Sequence, residues 1–370
     1  MKTTNLITLC VFLATFLVGG VALADDSGVF DSVSSDSALE APKLTVAIDG
    51  VKVTLSWNNV TGASYYVVHY AQAPYDHPGT IKTIDVDEKT SAVYNLFPGC
   101  AYHVAVKACD ASGFNCSDYS IIHDVKIPIV SSFKNSLGQE FKLIPAGTFT
   151  MGSPTSELGR NDDETQHQVT LTQPFYMQTT EVTQAQWETV MGSNPSSFSG
   201  CPTCSVEQVS WNDVKAFITK MNTLGEGTYG LPTEAQWEYA ARAGSTTAFY
   251  NGGITELGCR LDANLNAIGW YCHNSGGKTH TVAGKTPNAW GLYDMSGNVW
   301  EWCSDWFGAY SNSPTEDPQG PSTGSFRVVR GGSWYYYGSA FCRSACRGNL
   351  TPYYRYGYVG FRLVFSSDQQ

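Results

Sequence analysis

Charged side chains are scarce in this 370-residue chain, at 15% of residues, and basic ones scarcer still, with 22 lysines and arginines against 33 aspartates and glutamates. The resulting net charge of −11 excludes the phosphate-neutralising surface that nucleic acid or an anionic membrane demands. Histidine is also sparse, at seven residues. His167, His273 and His280 are widely separated and have no nearby carboxylate pattern, which argues against a two-histidine, one-carboxylate metal site and against a general base with a partnered nucleophile. After the first 24 residues no apolar run is long enough to span a bilayer. A second Cys-x-x-Cys is missing too, so Cys201-Pro-Thr-Cys204 is a poor half of a zinc site.

Among the features present, the first is a leader. Met1-Lys2 runs into the apolar stretch Leu6 to Val21 and then Ala22-Leu23-Ala24 ahead of Asp25-Asp26, the small-x-small pattern of signal-peptide cleavage. We expect a signal peptide over residues 1–24 and a secreted, periplasmic or cell-surface protein; an uncleaved anchor is the alternative. Cys10 follows Leu9 rather than a small residue, so lipidation is not expected. Ten cysteines follow Ala24, and in an exported chain an even count reads first as disulfides. Sequence leaves their connectivity open, but Cys109 with Cys116, Cys201 with Cys204 and Cys259 with Cys272 would close short loops.

Residues 25–41 are rich in Ser, Asp and Gly and cannot bury enough surface to fold alone, so a flexible linker is expected there. From Pro42 the pattern turns to period two: Val51, Val53, Leu55 and Trp57, then Tyr66, Val68 and Tyr70, then Tyr102, Val104, Val106 and Ala108. This is the alternation of a β-sandwich. With Trp57 in an early strand and the Leu96…Tyr102 arrangement like a tyrosine corner, residues 42–128 resemble a fibronectin type III domain. His69, His77 and His103 are expected to be surface or packing residues.

The next segment, Phe141 to Gly152, holds two short extended runs around Pro145-Ala-Gly and predicts a hairpin. Thr183-Gln-Ala-Gln186 and Thr233-Glu-Ala-Gln236 have the capping-box spacing, and Ser210 precedes a third helix. Gly244 reads as a helix stop. Beyond it glycine, asparagine and aromatic residues dominate, which predicts loops and short strands. Nine of the ten tryptophans lie in this second region, where large aromatics supply the buried area that long helices would otherwise provide.

Seven fragments then recur in order: Leu143-Ile-Pro-Ala-Gly-Thr-Phe-Thr-Met-Gly-Ser153, Phe175-Tyr-Met-Gln-Thr-Thr-Glu-Val-Thr183, Val209-Ser-Trp-Asn-Asp213, Leu231 to Arg242, Asn288 to Trp302, Arg330-Gly-Gly-Ser-Trp334 and Val359-Gly-Phe-Arg362. Over residues 133–366 the chain resembles the formylglycine-generating-enzyme, or sulfatase-modifying-factor, family. That resemblance implies an irregular α+β fold related to C-type lectins, behind the all-β first domain.

Asp294-Met-Ser-Gly297-Asn-Val299-Trp-Glu301 carries two carboxylates around a glycine turn, and hard oxygen donors on a tight loop suit calcium. The resemblance implies that the side chains of Asp294 and Glu301 and the carbonyls of Gly297 and Val299 hold the ion. The alternative is a loop held by hydrogen bonds and stacked tryptophans.

The family's sulfatase-activating members oxidise a substrate cysteine with oxygen and copper(I), held by two cysteines five residues apart; soft thiolates suit that ion. Here Cys342 and Cys346 are four apart. Aligned backward from Gly360-Phe-Arg362, Ser339 and Ser344 occupy the two positions; counted forward from Gly331-Gly-Ser333, Ser339 becomes the family's active-site serine, Cys346 falls at the second cysteine and Phe341 at the first. Neither registration holds both cysteines. Ser339, Cys342 and Cys346 remain weak catalytic candidates. A rebuilt copper site at Cys342 and Cys346 is one use of these thiols, and structural disulfides involving Cys303 are the preferred one. A separate iron-binding helical domain like that of sulfur-oxidising relatives is not expected from these residues. Two functions are carried forward: an atypical member that binds peptide, glycan or protein through Tyr335–Tyr337 and Tyr353–Tyr358, and an oxidase with an altered metal site.

Overall fold

A computed structural model describes residues 39–72, 81–87, 89–224, 227–335 and 338–366. The expected signal peptide, most of the linker, His77, Tyr336 and Tyr337 lie outside the described residues. Among those described, no helix is long and apolar enough to cross a membrane. The chain divides into two compact units, one running to Asn95 and resuming over Ala101–Lys126, the other comprising Leu96–Cys100 and everything from Ile127.

The first unit is all β. Strands β1 (Leu44–Asp49), β2 (Lys52–Trp57) and β5 (Ser91–Asn95) form one sheet in the order β1-β2-β5; β3 (Tyr65–Gln72), β4 (Ile81–Val86), β6 (Ala101–Cys109) and β7 (His123–Lys126) form another in the order β4-β3-β6-β7. The period-two faces lie where alternation predicts them except at Val51 and Tyr70, which are only half-buried. Val53, Leu55 and Trp57 from one sheet and Tyr66, Val68, Tyr102, Val104, Val106 and Ala108 from the other are buried, and the rings of Trp57 and Tyr66 meet at 5.5 Å. His69 sits edge-on to Tyr119 and His103 lies 2.7 Å from Asp124, so both make structural contacts.

In the second unit, β9 (Glu140–Ile144) and β10 (Gly147–Met151) correct the hairpin expectation. β9 lies between β8 (Ser132–Lys134) and β12 (Phe175–Gln178) in a five-stranded sheet completed by β13 (Thr228–Gly230) and β19 (Val364–Ser366), ordered β13-β19-β12-β9-β8. β10 instead pairs with β11 (His167–Leu171) in a sheet completed by β15 (Thr315–Glu316). The linker explains the divergence. A two-residue hairpin needs positive φ in its turn, which Pro145 forbids and Ala146 does not adopt, so the chain passes from one sheet to the next. The third sheet runs β17 (Arg347–Leu350), β16 (Arg327–Arg330), β14 (Trp300–Trp306), β18 (Val359–Gly360).

The helices start where their caps predict. Thr183 and Gln186 close a capping box on α1 (Gln184–Met191), Ser210 and Asp213 on α2 (Trp211–Asn222), and Thr233 and Gln236 on α3 (Glu234–Arg242). The α3 stop differs in detail, because Ala243 already adopts the left-handed conformation (φ 44°) one residue ahead of Gly244. A short helix, α4 (Ala263–Ile268), follows under an Asp262 cap. Ile144, Met151, Val169, Met177, Trp237, Leu292, Met295, Cys303 and Val328 share the main core of this unit. The three short-loop disulfides, Cys109–Cys116, Cys201–Cys204 and Cys259–Cys272, are all formed.

Candidate functional site

The acidic loop ends at the start of β14, which carries Glu301 into the core. Both Glu301 oxygens are engaged: Arg362 donates Nε to Oε2 and Nη2 to Oε1, each at 2.6 Å, and Trp237 donates Nε1 to Oε2 at 2.8 Å. At the loop's other end, Asp294 adopts a positive φ of 56° and accepts at Oδ2 from the Ala283 amide at 2.7 Å, while its buried Oδ1 has no partner. Gly297 is required where it stands, because at φ 87° a Cβ would lie 2.3 Å from the Trp270 carbonyl oxygen.

Opposite Asp294 stands Glu181, a residue that the loop's spacing could not reveal. It is fully buried, accepts at Oε1 from Asn298 Nδ2 at 3.1 Å, and leaves Oε2 unpartnered. Burial, reinforced by the charges of Asp294 and Glu301, pushes its carboxyl well above the usual range, and burial raises Asp294 to about 6. Glu181 lies in the Thr-Thr-Glu-Val-Thr183 fragment and Arg362 in Gly-Phe-Arg362, so both stood in segments that carried the resemblance, with nothing local to mark their role. Among the described residues no three His, Cys, Asp or Glu side chains converge to hold a metal. A cation here would need two carboxylates supplemented by neutral oxygens.

The cysteine segment departs from the disulfide expectation. Cys303, Cys342 and Cys346 are buried and form no disulfide. They lie in different surroundings: Cys303 in the main core beside Met295 and Val328, Cys342 in a second cluster with Phe249, Leu265 and Tyr271. Cys346 Sγ faces Asn161 Nδ2 at 4.0 Å. Burial pushes all three thiols up, Cys346 to about 12, which disfavours the nucleophilic thiolate at neutral pH. Ser339 is buried and donates to the carbonyls of Glu256 and Gly258, with no basic side chain among these partners. Ser344 is buried as well.

The same segment frames a band of tyrosines. Tyr335 stacks on Tyr358 at 5.1 Å and Tyr358 on Tyr356 at 5.0 Å, with interplanar angles of 17° and 14°. Tyr354 continues edge-on from Tyr356 at 5.9 Å, and Tyr353 from Tyr354 at 5.0 Å. Tyr353 is 60% exposed and Tyr354 47%. Two contacts support the band: buried Trp334 donates Nε1 to the Gly357 carbonyl at 2.8 Å, and the exposed Arg355 donates two 2.7 Å hydrogen bonds to Asp213. A separate cavity of about 420 Å³ is lined by His167, Glu234, Asp305, Trp306, Tyr310 and Arg347. Burial and then the charge of Glu234 raise Asp305 there to about 7.

Residues 128–367 match the family model described as "Sulfatase-modifying factor enzyme 1-like domain". The chain is 40% identical over 196 residues to the formylglycine-generating enzyme of Streptomyces coelicolor, covering 50% of this chain and 59% of that protein. It is 30% identical over 282 residues to the mouse formylglycine-generating enzyme, covering 60% of this chain and 73% of the relative. Among solved structures, Treponema denticola variable protein 1 superposes with a TM-score of 0.58 at 30% identity, covering 64% of this chain and 99% of that one. The chain spans about three-fifths of the length of its bacterial formylglycine-generating relatives.

Proposed function

We propose that this chain, which belongs to the sulfatase-modifying factor enzyme 1-like family, is a binding protein that holds a peptide, glycan or protein partner against its C-terminal tyrosine band. The carrying observation is the continuous stack of Tyr335, Tyr358 and Tyr356, extended by exposed Tyr354 and Tyr353. Tyrosine gives large rigid contact area at low entropic cost and a polar tip for specificity. Stacking and the Arg355–Asp213 clamp preorganise the rings, so less ordering is required on binding.

In this reading the protein is exported, the first unit is a fibronectin-III-like spacer, and calcium braces the Asp294 loop. An oxidase of the formylglycine-generating type is the second reading, favoured by the names of its relatives. The spacing of Cys342 and Cys346, four residues apart where the family's copper pair is five apart, weighs against it.

Glycan and peptide arrays probed with the chain from Asp25 onward, in parallel with a Tyr353→Ala/Tyr354→Ala/Tyr356→Ala variant, test the proposal. Binding that falls at least tenfold in the variant is expected. Flat arrays, together with stoichiometric copper and oxygen-dependent conversion of a cysteine peptide, would replace it with the oxidase reading.

A further inference from the structure

The cavity of about 420 Å³ in the second unit shares no lining residue with the tyrosine band. Met151 of β10, His167 of β11, the start of α3, the end of β14, Arg347 of β17 and the segment from Gly308 to Pro321 bound it. Asp305 stands in its wall, only 4% exposed, and accepts at Oδ2 from the Glu234 amide at 2.9 Å and the Ser304 hydroxyl at 3.0 Å. No hydrogen bond from another residue reaches Oδ1. Gly320 passes beside it at φ 69°, and a Cβ there would stand 3.1 Å from Oδ1, so glycine leaves that oxygen open.

The acidic charges of this cavity are unevenly answered. Glu234 receives Arg347 Nε and Nη2 at 2.6 and 2.8 Å, with Arg330 3.6 Å away. Arg327 lies between the rings of Trp211 and Trp306, at 3.9 and 3.5 Å, and donates to the Ser304 carbonyl. None of these arginines forms an ion pair with Asp305, and exposed Glu316 at the rim has no ion pair either. A buried carboxylate without a counter-ion is costly, and a cationic ligand offsets that cost. His167 adds an acceptor: its Nδ1 lies 3.1 Å from the Thr165 carbonyl, which can only accept, so the neutral ring keeps a lone pair at Nε2. The rest of the wall includes Met151, Ala235, Trp306 and Pro318, which suit a methylene stem, in a volume typical of small-molecule sites.

We propose that this cavity binds an alkylammonium group, borne by a free diamine or by a lysine side chain, with Asp305 Oδ1 receiving the ammonium and the apolar wall its stem. A diamine would place its second ammonium at Glu316. The site is distinct from the tyrosine band and independent of what that band binds.

The test is calorimetric titration of the chain from Asp25 with cadaverine and with Nα-acetyl-lysine methylamide, using pentanol and hexanoate as the uncharged and anionic controls. It runs at pH 8, above the value of about 7 to which burial and Glu234 raise Asp305, where an alkylamine is still protonated. Saturable binding of at least one amine, with neither control binding, is expected. Asp305→Asn, which keeps an acceptor for the Glu234 amide, should weaken amine binding at least tenfold. Glu316→Gln should weaken cadaverine several-fold and leave the lysine amide unchanged. Binding of cadaverine alone identifies a free diamine as the source, and binding of the lysine amide alone identifies a protein side chain.

Three results overturn the proposal. Neither amine binds the wild-type chain; pentanol or hexanoate binds as tightly as the amines; or folded Asp305→Asn binds them as wild type does. The first two need no variant, so they decide the matter even if Asp305→Asn does not fold.

Discussion

Arg362 holds both carboxylate oxygens of Glu301 at 2.6 Å, although the two residues are 61 positions apart, and water reaches neither. Removing one partner strands a buried charge, which typically costs about 3–5 kcal/mol. Arg362→Met should therefore lower the unfolding free energy by about that amount in urea titrations. An Arg362→Met/Glu301→Met double variant should recover part of the loss, because the desolvation penalty disappears from both sides. A double variant as unstable as the sum of the two singles would contradict this account.

Asp305 yields a pH prediction. Its carboxyl is raised to about 7 in the fold by burial and then by Glu234, against about 3.9 for an unperturbed aspartate. Between those values the folded protein binds a proton that the unfolded chain has lost. Its contribution to stability is therefore fully present only below the unfolded value of about 3.9 and is lost as pH rises from there through 7. Asp305→Asn keeps an oxygen for the Glu234 amide and Ser304 hydroxyl that now donate to Oδ2 at 2.9 and 3.0 Å. The variant should be more stable than wild type by roughly 1–3 kcal/mol at pH 8 and lack the corresponding decline in a pH series of melting temperatures.

Native protein at pH 8, without reductant, should resist thiol labelling at Cys303, Cys342 and Cys346, because each is buried and held protonated. After unfolding in guanidinium all three should label, as peptide mass mapping would show. Rapid native labelling of Cys342 or Cys346, or a disulfide between any two of the three, would contradict their placement.

The capping boxes predict modest local losses. Thr233→Ala removes the acceptor for the Gln236 amide at 3.1 Å and should cost about 1 kcal/mol in denaturant titration. Thr183→Ala should cost a similar amount through the Gln186 amide. Thr233→Ser, which keeps the oxygen, should stay within about 0.5 kcal/mol of wild type.

Features that depend on neighbours a few residues apart were legible before any coordinates. Helix starts at Thr183, Ser210 and Thr233 and the alternating faces of the first unit follow from short-range geometry, and the three disulfides, at sequence separations of 3, 7 and 13, are the short-loop pairs that the spacing favoured while leaving connectivity open. The ordered fragments carried the family in the same way.

The hairpin expectation failed because strand partners are chosen between distant segments, and Pro145 denied the local turn. The Cys303 disulfide failed because the thiols are assigned to different core clusters by packing.

The candidate site divides along the same line. Composition and motif order suffice for the family, the acidic net charge, and the presence of an acidic loop with tyrosine-rich segments near the C terminus. Only the folded arrangement brings Arg362 onto Glu301, leaves Glu181 Oε2 and Asp294 Oδ1 buried without partners, and stacks Tyr335 on Tyr358. The physical reason is range: caps and short loops are decided by bonded geometry, whereas buried charge compensation and ring stacking depend on which remote side chains share one desolvated volume.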